Sequence, residues 1–410
     1  MPKIADNQWD TETDVLLQSH HPHAINAWLA QLLYIQLDRL GVFSASAHHD
    51  DFTEHADRWG LDPQFQPWWR ESIRLLLAAE LIAWQDGILV CRGPSSEQAE
   101  AVWRAWDDFR DGHRHDPARM TQMNLVDACL RNLPQILTGG LPATEVLFPN
   151  ASMEKVEGIY KDNPVSDLFN RVLTKTVSDY VSGVLRLDRE AQLNLVEIGA
   201  GTGGTTAMVL PALMAYQRNI QQYLYTDLSQ AFLMHARRCY GPTCPFLDYA
   251  LWDIEQSLAT QPIPPASFDV AIATNVLHAT KDIRSTLRHC KAALRNGGMV
   301  IINELSDKSV FTHLTFGLLK GWWLHQDTEL RIEGSPAIAP DTWREILEEE
   351  GFHSVEFPAQ KAHALGQTII VALSNGVIRQ QAPLSKKKIS LQYNRRPLVP
   401  PHRLRRPRPT

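Results

Sequence analysis

Leu195-Val196-Glu197-Ile198-Gly199-Ala200-Gly201-Thr202-Gly203-Gly204 joins an apolar strand, with an acid near its end, to a run of closely spaced glycines. Each glycine lets the backbone take a positive φ or come close to a ligand, which a side chain would forbid. A helix predicted from near Thr205 aims its free N–H groups at the same spot. Glycine-rich turns also serve as plain strand-to-helix connections, so the residues downstream decide the reading.

About 24 residues past Gly203, the segment Gln222-Tyr223-Leu224-Tyr225-Thr226-Asp227 reads as a second strand ending in an acid. In a doubly wound sheet that position offers a carboxylate to a ribose diol. A third apolar-to-acid step follows at Leu251-Trp252-Asp253. Phe268-Asp269-Val270-Ala271-Ile272-Ala273-Thr274-Asn275 is a buried strand running into Val276-Leu277-His278, and Gly297-Gly298-Met299-Val300-Ile301-Ile302-Asn303-Glu304 is another. Strands alternating with helical stretches, each ending in a polar residue, predict a parallel α/β sheet with a ligand crevice at its carboxyl edge.

A dinucleotide site is the natural rival, with the fingerprint G-x-G-x-x-G. Here the order is Gly199-x-Gly201-x-Gly203-Gly204, preceded by Glu197, an acid that would repel a pyrophosphate. A ligand without phosphates that carries a cation suits it better. S-adenosylmethionine brings both an ammonium and a sulfonium.

With these features the chain resembles the methyltransferase domains of modular polyketide synthases, most closely the C-methyltransferases of bacterial trans-acyltransferase systems. The likeness is carried by 147–161 (LFPNASMEKVEGIYK), the glycine turn, Tyr225-Thr226-Asp227-Leu228-Ser229, 273–280 (ATNVLHAT) and 311–323 (FTHLTFGLLKGWW). It spans roughly Leu147 to Ala372, with a weaker likeness in the N-terminal region. The resemblance implies a class I methyltransferase fold: a Rossmann-like seven-stranded sheet with helices on both faces, preceded by a mainly helical lid domain. The expected boundaries are 1–145 for the helical domain, 146–375 for the methyltransferase core, and 376–410 for a basic, Pro-rich linker or tail.

At 410 residues, 44% hydrophobic and 21% charged, the chain has length for two sizeable cores and an ordinary globular composition. No apolar run approaches the roughly 18 residues that span a bilayer, and the polar start from Met1 to Asp10 is unlike a signal peptide, which predicts a cytoplasmic protein without membrane contact. Cys91, Cys129, Cys239, Cys244 and Cys290 form no C-x-x-C pair, so neither a disulfide framework nor a zinc site is indicated. His20, His21 and His23 lack partner ligands at metal spacing, and the expectation is no metal. Residues 385–410 hold nine Lys and Arg and no acid, leaving 31 basic against 46 acidic residues elsewhere. Such a tail cannot bury enough apolar surface to fold by itself; a nucleic-acid arm and a linker toward a neighbouring domain are the two readings, and the linker is preferred.

Upstream, Trp28, Leu29, Leu32, Ile35 and Leu40 recur at helical spacing before Gly41. A second helix is predicted from about Trp68 to Trp84, followed by an Asp86-Gly87 hairpin turn before Ile88-Leu89-Val90. A third follows the capping pair Ser95-Ser96. This order suggests a winged-helix-like unit, but the stretch from Asp50 to Asp111 is too acidic for a phosphate-backbone footprint, so no nucleic-acid partner is expected. A lid or dimerisation role fits better, and the resemblance implies that this region packs over the core and helps form the substrate cleft.

His278 is predicted at the end of the fourth crevice strand and Glu304 at the end of the fifth, 26 residues later. Adjacent strands would bring both to one edge, where a carboxylate fixes the imidazole tautomer and raises its basicity. The pair matches the family's catalytic His and Glu. The resemblance then implies that His278 removes a proton from the α-carbon of a β-ketoacyl chain carried on the phosphopantetheine of an acyl carrier protein, alongside other polyketide synthase domains. The resulting enolate would take the methyl group of S-adenosylmethionine. Glu197 with Gly199, Gly201 and Gly203 would hold the methionine end of the cofactor. Asp227 and Leu228 would hold the ribose side, and Trp252 with Asp253 the adenine edge. Tyr160 would close over cofactor and substrate, and Asn275 would orient a carbonyl beside the cofactor. Phe316, Trp322 and Trp323 would line the acyl channel. O-methylation of a hydroxyl or enol is the nearest alternative, since a His base serves both. A regulatory protein with a degenerate methyltransferase fold is a further alternative, opposed by the intact glycine turn, Asp227 and His278.

Overall fold

The computed structural model describes residues 6–19, 22–43, 49–149, 154–160 and 162–379. His20, His21, the motif residues Asn150 to Met153, Lys161 and the basic tail from Gln380 lie outside these residues. The chain opens with helices α1 (Asp10–Ser19), α2 (Pro22–Arg39), α3 (His49–Glu54) and α4 (Gln66–Ala78). Helix α2 buries Leu29, Leu32, Leu33 and Leu37 along one stripe, and Gly41, with φ 77°, lets the chain turn away after it.

The second predicted helix stops at Ala78, six residues short of its expected end. Trp84 instead belongs to strand β1 (Ile82–Gln85), which pairs antiparallel with β2 (Ile88–Cys91). The turn at Asp86 and Gly87 takes φ of 52° and 76°, the double positive that suits a two-residue hairpin, so strand pairing overrides the helical periodicity. Helix α5 (Ser96–Asp111) follows, and the Gln98 side chain accepts the N–H of Ser95 at 2.9 Å, half of a capping box. Helices α6 (Pro117–Leu137), α7 (Ala143–Leu147) and α8 (Glu154–Tyr160) complete the helical region. The long helix α9 (Pro164–Leu187), capped by Asn163, leads into the sheet.

The quoted stretch becomes β3 (Leu193–Ile198), followed by α10 (Thr206–Leu213), β4 (Ile220–Asp227), α11 (Gln230–Cys239), β5 (Leu247–Leu251) and β6 (Phe268–Thr274). Then come α12 (Ile283–Ala293), β7 (Leu294–Leu305), α13 (Val310–Leu314), α14 (Pro340–Glu349), β8 (Phe352–Glu356) and β9 (Gln367–Ser374). Seven strands lie in the order β5-β4-β3-β6-β7-β9-β8. The first five run parallel, while β9 pairs antiparallel with both β7 and β8. The order reverses between β3 and β6, the place where an open α/β sheet leaves a crevice at its carboxyl edge.

Alternation along the strands fills both faces. On one, Leu195, Tyr223, Ile272 and Ile301 pack with Phe169 and Val172 of α9. On the other, Val196, Leu224, Ala271 and Val300 pack with Leu287 of α12 and Trp343 of α14. Among the described residues no helix is long and apolar enough to cross a membrane, and no group of His, Cys, Asp or Glu is arranged to hold a metal.

A third cluster sits in the helical region, yet Leu314 and Leu318 from beyond β7 belong to it. The described residues up to Arg379 form one compact unit. Polar contacts fix the same seam. The Trp68 indole donates to the carbonyl of His313 at 3.0 Å, the Trp68 ring stacks on the His313 imidazole at 5.0 Å, and Ser72 Oγ meets His313 Nε2 at 2.8 Å. Burial, with the Lys308 charge adding to it, pushes His313 down to about 3, so the ring is neutral. Leu314→Ala is expected to cost about 2–5 kcal/mol in a chemical denaturation experiment, as for other fully buried leucines.

Candidate active site

The glycine turn is built as its spacing predicts. Gly199, Gly201 and Gly203 have φ of 58°, 58° and 80°. A Cβ on Gly199 would stand 2.4 Å from Val276 Cγ2, and one on Gly204 3.0 Å from the carbonyl oxygen of Tyr160. The turn is therefore wedged between the β6 loop and α8. Thr205 immediately precedes α10, and its hydroxyl lies 2.8 Å from Asn170 Oδ1 and 3.1 Å from Thr274 Oγ1. Asp227, at the end of β4, accepts the N–H of Gly201 at 3.0 Å and of Ser229 at 2.8 Å. Burial raises this carboxyl, and the backbone donors work against that rise.

Beneath the turn lies a cavity of about 300 Å³, whose walls include Tyr160, Asn170, Glu197, Gly199, Gly201, Asn275, Asn303 and Phe316. Glu197 is 1% exposed, and one of its oxygens accepts from Thr206 Oγ1 at 2.5 Å and from the Tyr223 phenol at 2.6 Å. Burial lifts this carboxyl to about 7, against the pull of those two donors. A buried, half-satisfied carboxylate at a cavity wall is suited to a cationic ligand group, which would restore its charge. Asn275 Oδ1 and Asn303 Oδ1 are buried without a hydrogen-bond partner among the described residues, and both residues line the same cavity.

His278 and Glu304 meet as the strand reading anticipates, by a slightly different route. Strand β6 ends at Thr274, because Asn275 turns left-handed at φ 51°, and His278 stands in a one-turn 3₁₀ helix, Leu277–Ala279. Asn tolerates that conformation better than most side chains. Glu304 is the penultimate residue of β7 rather than its last. The Glu304 carboxylate accepts His278 Nδ1–H at 2.6 Å through one oxygen. Its other oxygen takes the backbone N–H groups of Val276, Leu277 and His278 at 2.8, 2.6 and 3.3 Å. Burial pushes Glu304 up, but the His278 imidazole and these N–H groups outweigh it and hold the carboxyl below its ordinary value. An ionised acceptor on Nδ1 leaves the Nε2 lone pair as the basic site.

The remaining expected site residues divide. Tyr160 lines the cavity, its ring 6.1 Å from that of Phe316, and burial together with the Glu304 charge pushes its phenol well up. The Trp322 ring stands edge-on to His278 at 5.7 Å. Trp323 turns away: its indole donates to the Gly317 carbonyl at 2.8 Å and its ring packs on His313, with the helical cluster. Trp252 is 2% exposed and packs in the cluster on one face of the sheet. Asp253 accepts the N–H of Glu255 at 2.9 Å, a local turn contact. Leu228 is 70% exposed beside Asp227. Sequence reading missed Thr206 and Tyr223. The i, i+2 pair Tyr223 and Tyr225 was the available signal, since it sets both phenols on the Glu197 face of the sheet.

Residues 196–300 match the family described as a methyltransferase domain. The polyketide synthase PksR of Bacillus subtilis (strain 168) is 44% identical over 86% of this chain, and this stretch spans 14% of that protein. The crystal structure of the DszA carbon methyltransferase superposes with a TM-score of 0.80 at 33% identity, covering 90% of this chain and 94% of that one. The CurJ carbon methyltransferase superposes at 0.74 with 25% identity, covering 90% and 98%. The chain thus spans about a seventh of the curated synthase and nearly all of the two solved carbon methyltransferase chains.

Gly199→Ala places a Cβ where Val276 stands and forces a left-handed alanine. A loss of about 1–3 kcal/mol is expected in denaturant titration, as for other overpacked sites.

Proposed function

We infer the reaction from one premise: the chain belongs to the carbon methyltransferase domains of polyketide synthases, and it is an S-adenosylmethionine-dependent methyltransferase. Its substrate is a β-ketoacyl chain on the phosphopantetheine of an acyl carrier protein, methylated at the α-carbon, and it works beside other polyketide synthase domains in the cytoplasm. The observation that carries this reading is the His278–Glu304 contact of 2.6 Å next to a cavity walled by the glycine turn.

The donor supplies an electrophilic methyl group. Glu197 and the turn from Gly199 to Gly203 would hold its amino-acid end, and Asp227 with Leu228 its ribose side. Trp252 and Asp253, which follow β5, would form the adenine edge. His278 Nε2 takes the α-proton, the carbon electron pair is left as an enolate, and Glu304 keeps the imidazolium charge balanced. Asn275 presents its amide in the cavity wall, where it would orient the thioester or keto oxygen. Tyr160 and Phe316 cover the cavity, and Trp322 shapes the approach to His278. Trp323 secures this wall from behind. Excluding water and aligning the carbon with the methyl group supply several kcal/mol, up to about 7–11 in the best cases.

Wild type and His278→Ala are to be compared with acetoacetyl-acyl carrier protein and labelled S-adenosylmethionine. Turnover is expected to fall by about 10²–10⁴ with donor binding preserved. A 2-methyl product, resistant to reduction of the ketone, supports carbon methylation, whereas a methoxy product or undiminished His278→Ala turnover rejects it.

Donor affinity should also depend on pH. The ionised form of Glu197 holds a cation, and its carboxyl lies at about 7 before the ligand arrives. Affinity is therefore expected to be full above that value and to fall by up to about tenfold per pH unit below it. Calorimetry on Glu197→Gln is expected to show weaker binding above neutrality and a flat profile below.

A further inference from the structure

The proposed base stands on a turn where Glu304 takes the N–H groups of Val276, Leu277 and His278, and a second group grips the same turn from its carbonyl side. Arg331 is fully buried, and each of its N–H bonds has an acceptor. Nη1 donates to the carbonyls of His278 at 3.0 Å and Pro336 at 2.9 Å. Nη2 donates to the carbonyl of Thr280 at 3.1 Å and to Asp327 Oδ2 at 3.1 Å, and Nε donates to Asp327 Oδ1 at 2.7 Å. Asp327 also accepts the N–H of Ile283, the first residue of α12, at 2.7 Å. The N–H of Gln326 adds a bond to the Lys281 carbonyl at 2.7 Å.

We propose that Arg331, held by Asp327, is a positioning residue that fixes the backbone of His278 and so aims its imidazole. The inference rests on His278 as the base. Both ends of the His278 residue are fastened: its N–H to Glu304 and its C=O to Arg331. Two of these fasteners come from different parts of the chain, β7 and the segment after Trp322 and Trp323. Arginine suits the task because a planar fork of five donors can reach three carbonyls and a carboxylate at once, which the three donors of a lysine cannot do in one plane. A buried guanidinium is costly unless paired, and Asp327, itself 8% exposed, supplies the pairing.

The test uses Arg331→Lys, with Asp327→Asn as the milder second variant, in the full chain. Three readouts are taken: kcat and KM with acetoacetyl-acyl carrier protein, S-adenosylmethionine affinity by calorimetry, and the NMR resonance of the His278 Nδ1 proton, assigned by its loss in His278→Ala. Arg331→Lys is expected to lower kcat by about 10–100-fold, the scale of small misplacements of a reacting group, with donor affinity within about twofold of wild type. The Nδ1 proton resonance is expected to shift or broaden, and Asp327→Asn should move both readouts the same way by less. Unchanged kcat and an unchanged resonance in both variants overturn the proposal. So does a fall in kcat with the resonance unmoved, and so does failure of both variants to fold, which would make the ion pair purely structural. If His278→Ala retains turnover, the base assignment falls, while a moved resonance in Arg331→Lys still upholds the grip on the turn.

Discussion

One carboxylate organises this site. Glu304 accepts an imidazole N–H through one oxygen and a fan of backbone N–H groups through the other. Those backbone donors belong to the turn that carries the imidazole, so the acid fixes the ring and its mounting together. A buried carboxylate without such partners would protonate, and the ring would lose its tautomer lock. Everything nearby respects that constraint. Asn275 breaks the strand so that the turn faces β7, and Val276 fills the space left by a side-chain-free Gly199.

Much of this was legible along the chain because the signals are local. Strands that end in acids, glycines at alternating positions, and the interval between His278 and Glu304 set the sheet and place the dyad at its carboxyl edge. Aromatic residues were harder. Trp252, Trp322 and Trp323 look alike in sequence, yet one fills the sheet core, one meets His278, and one faces the helical cluster. Which way a ring turns is decided by packing between segments far apart in the chain, and periodicity carries no record of that.

The buried polar contacts divide in the same way. Tyr223 alternates with Tyr225, so its place on the Glu197 face follows from strand geometry. Arg331 has no comparable signal, since its carbonyl partner on His278 is 53 residues away and a backbone oxygen leaves no mark on sequence. The expected end of the second helix failed for a related reason. Local helical spacing through Trp84 lost to a hairpin whose turn residues, Asp86 and Gly87, favour pairing over continuation.

The seam between the helical region and the sheet has a consequence for how such domains are inherited. Leu314 and Leu318 complete a hydrophobic interior that otherwise comes from the first 156 residues, and Trp68 caps the peptide at His313. A crossover between relatives placed near residue 145 would join a helical half to a wall segment tailored to a different partner. The chimera would expose leucines or crowd them. Recombination that preserves this interior has to carry both halves as one cassette.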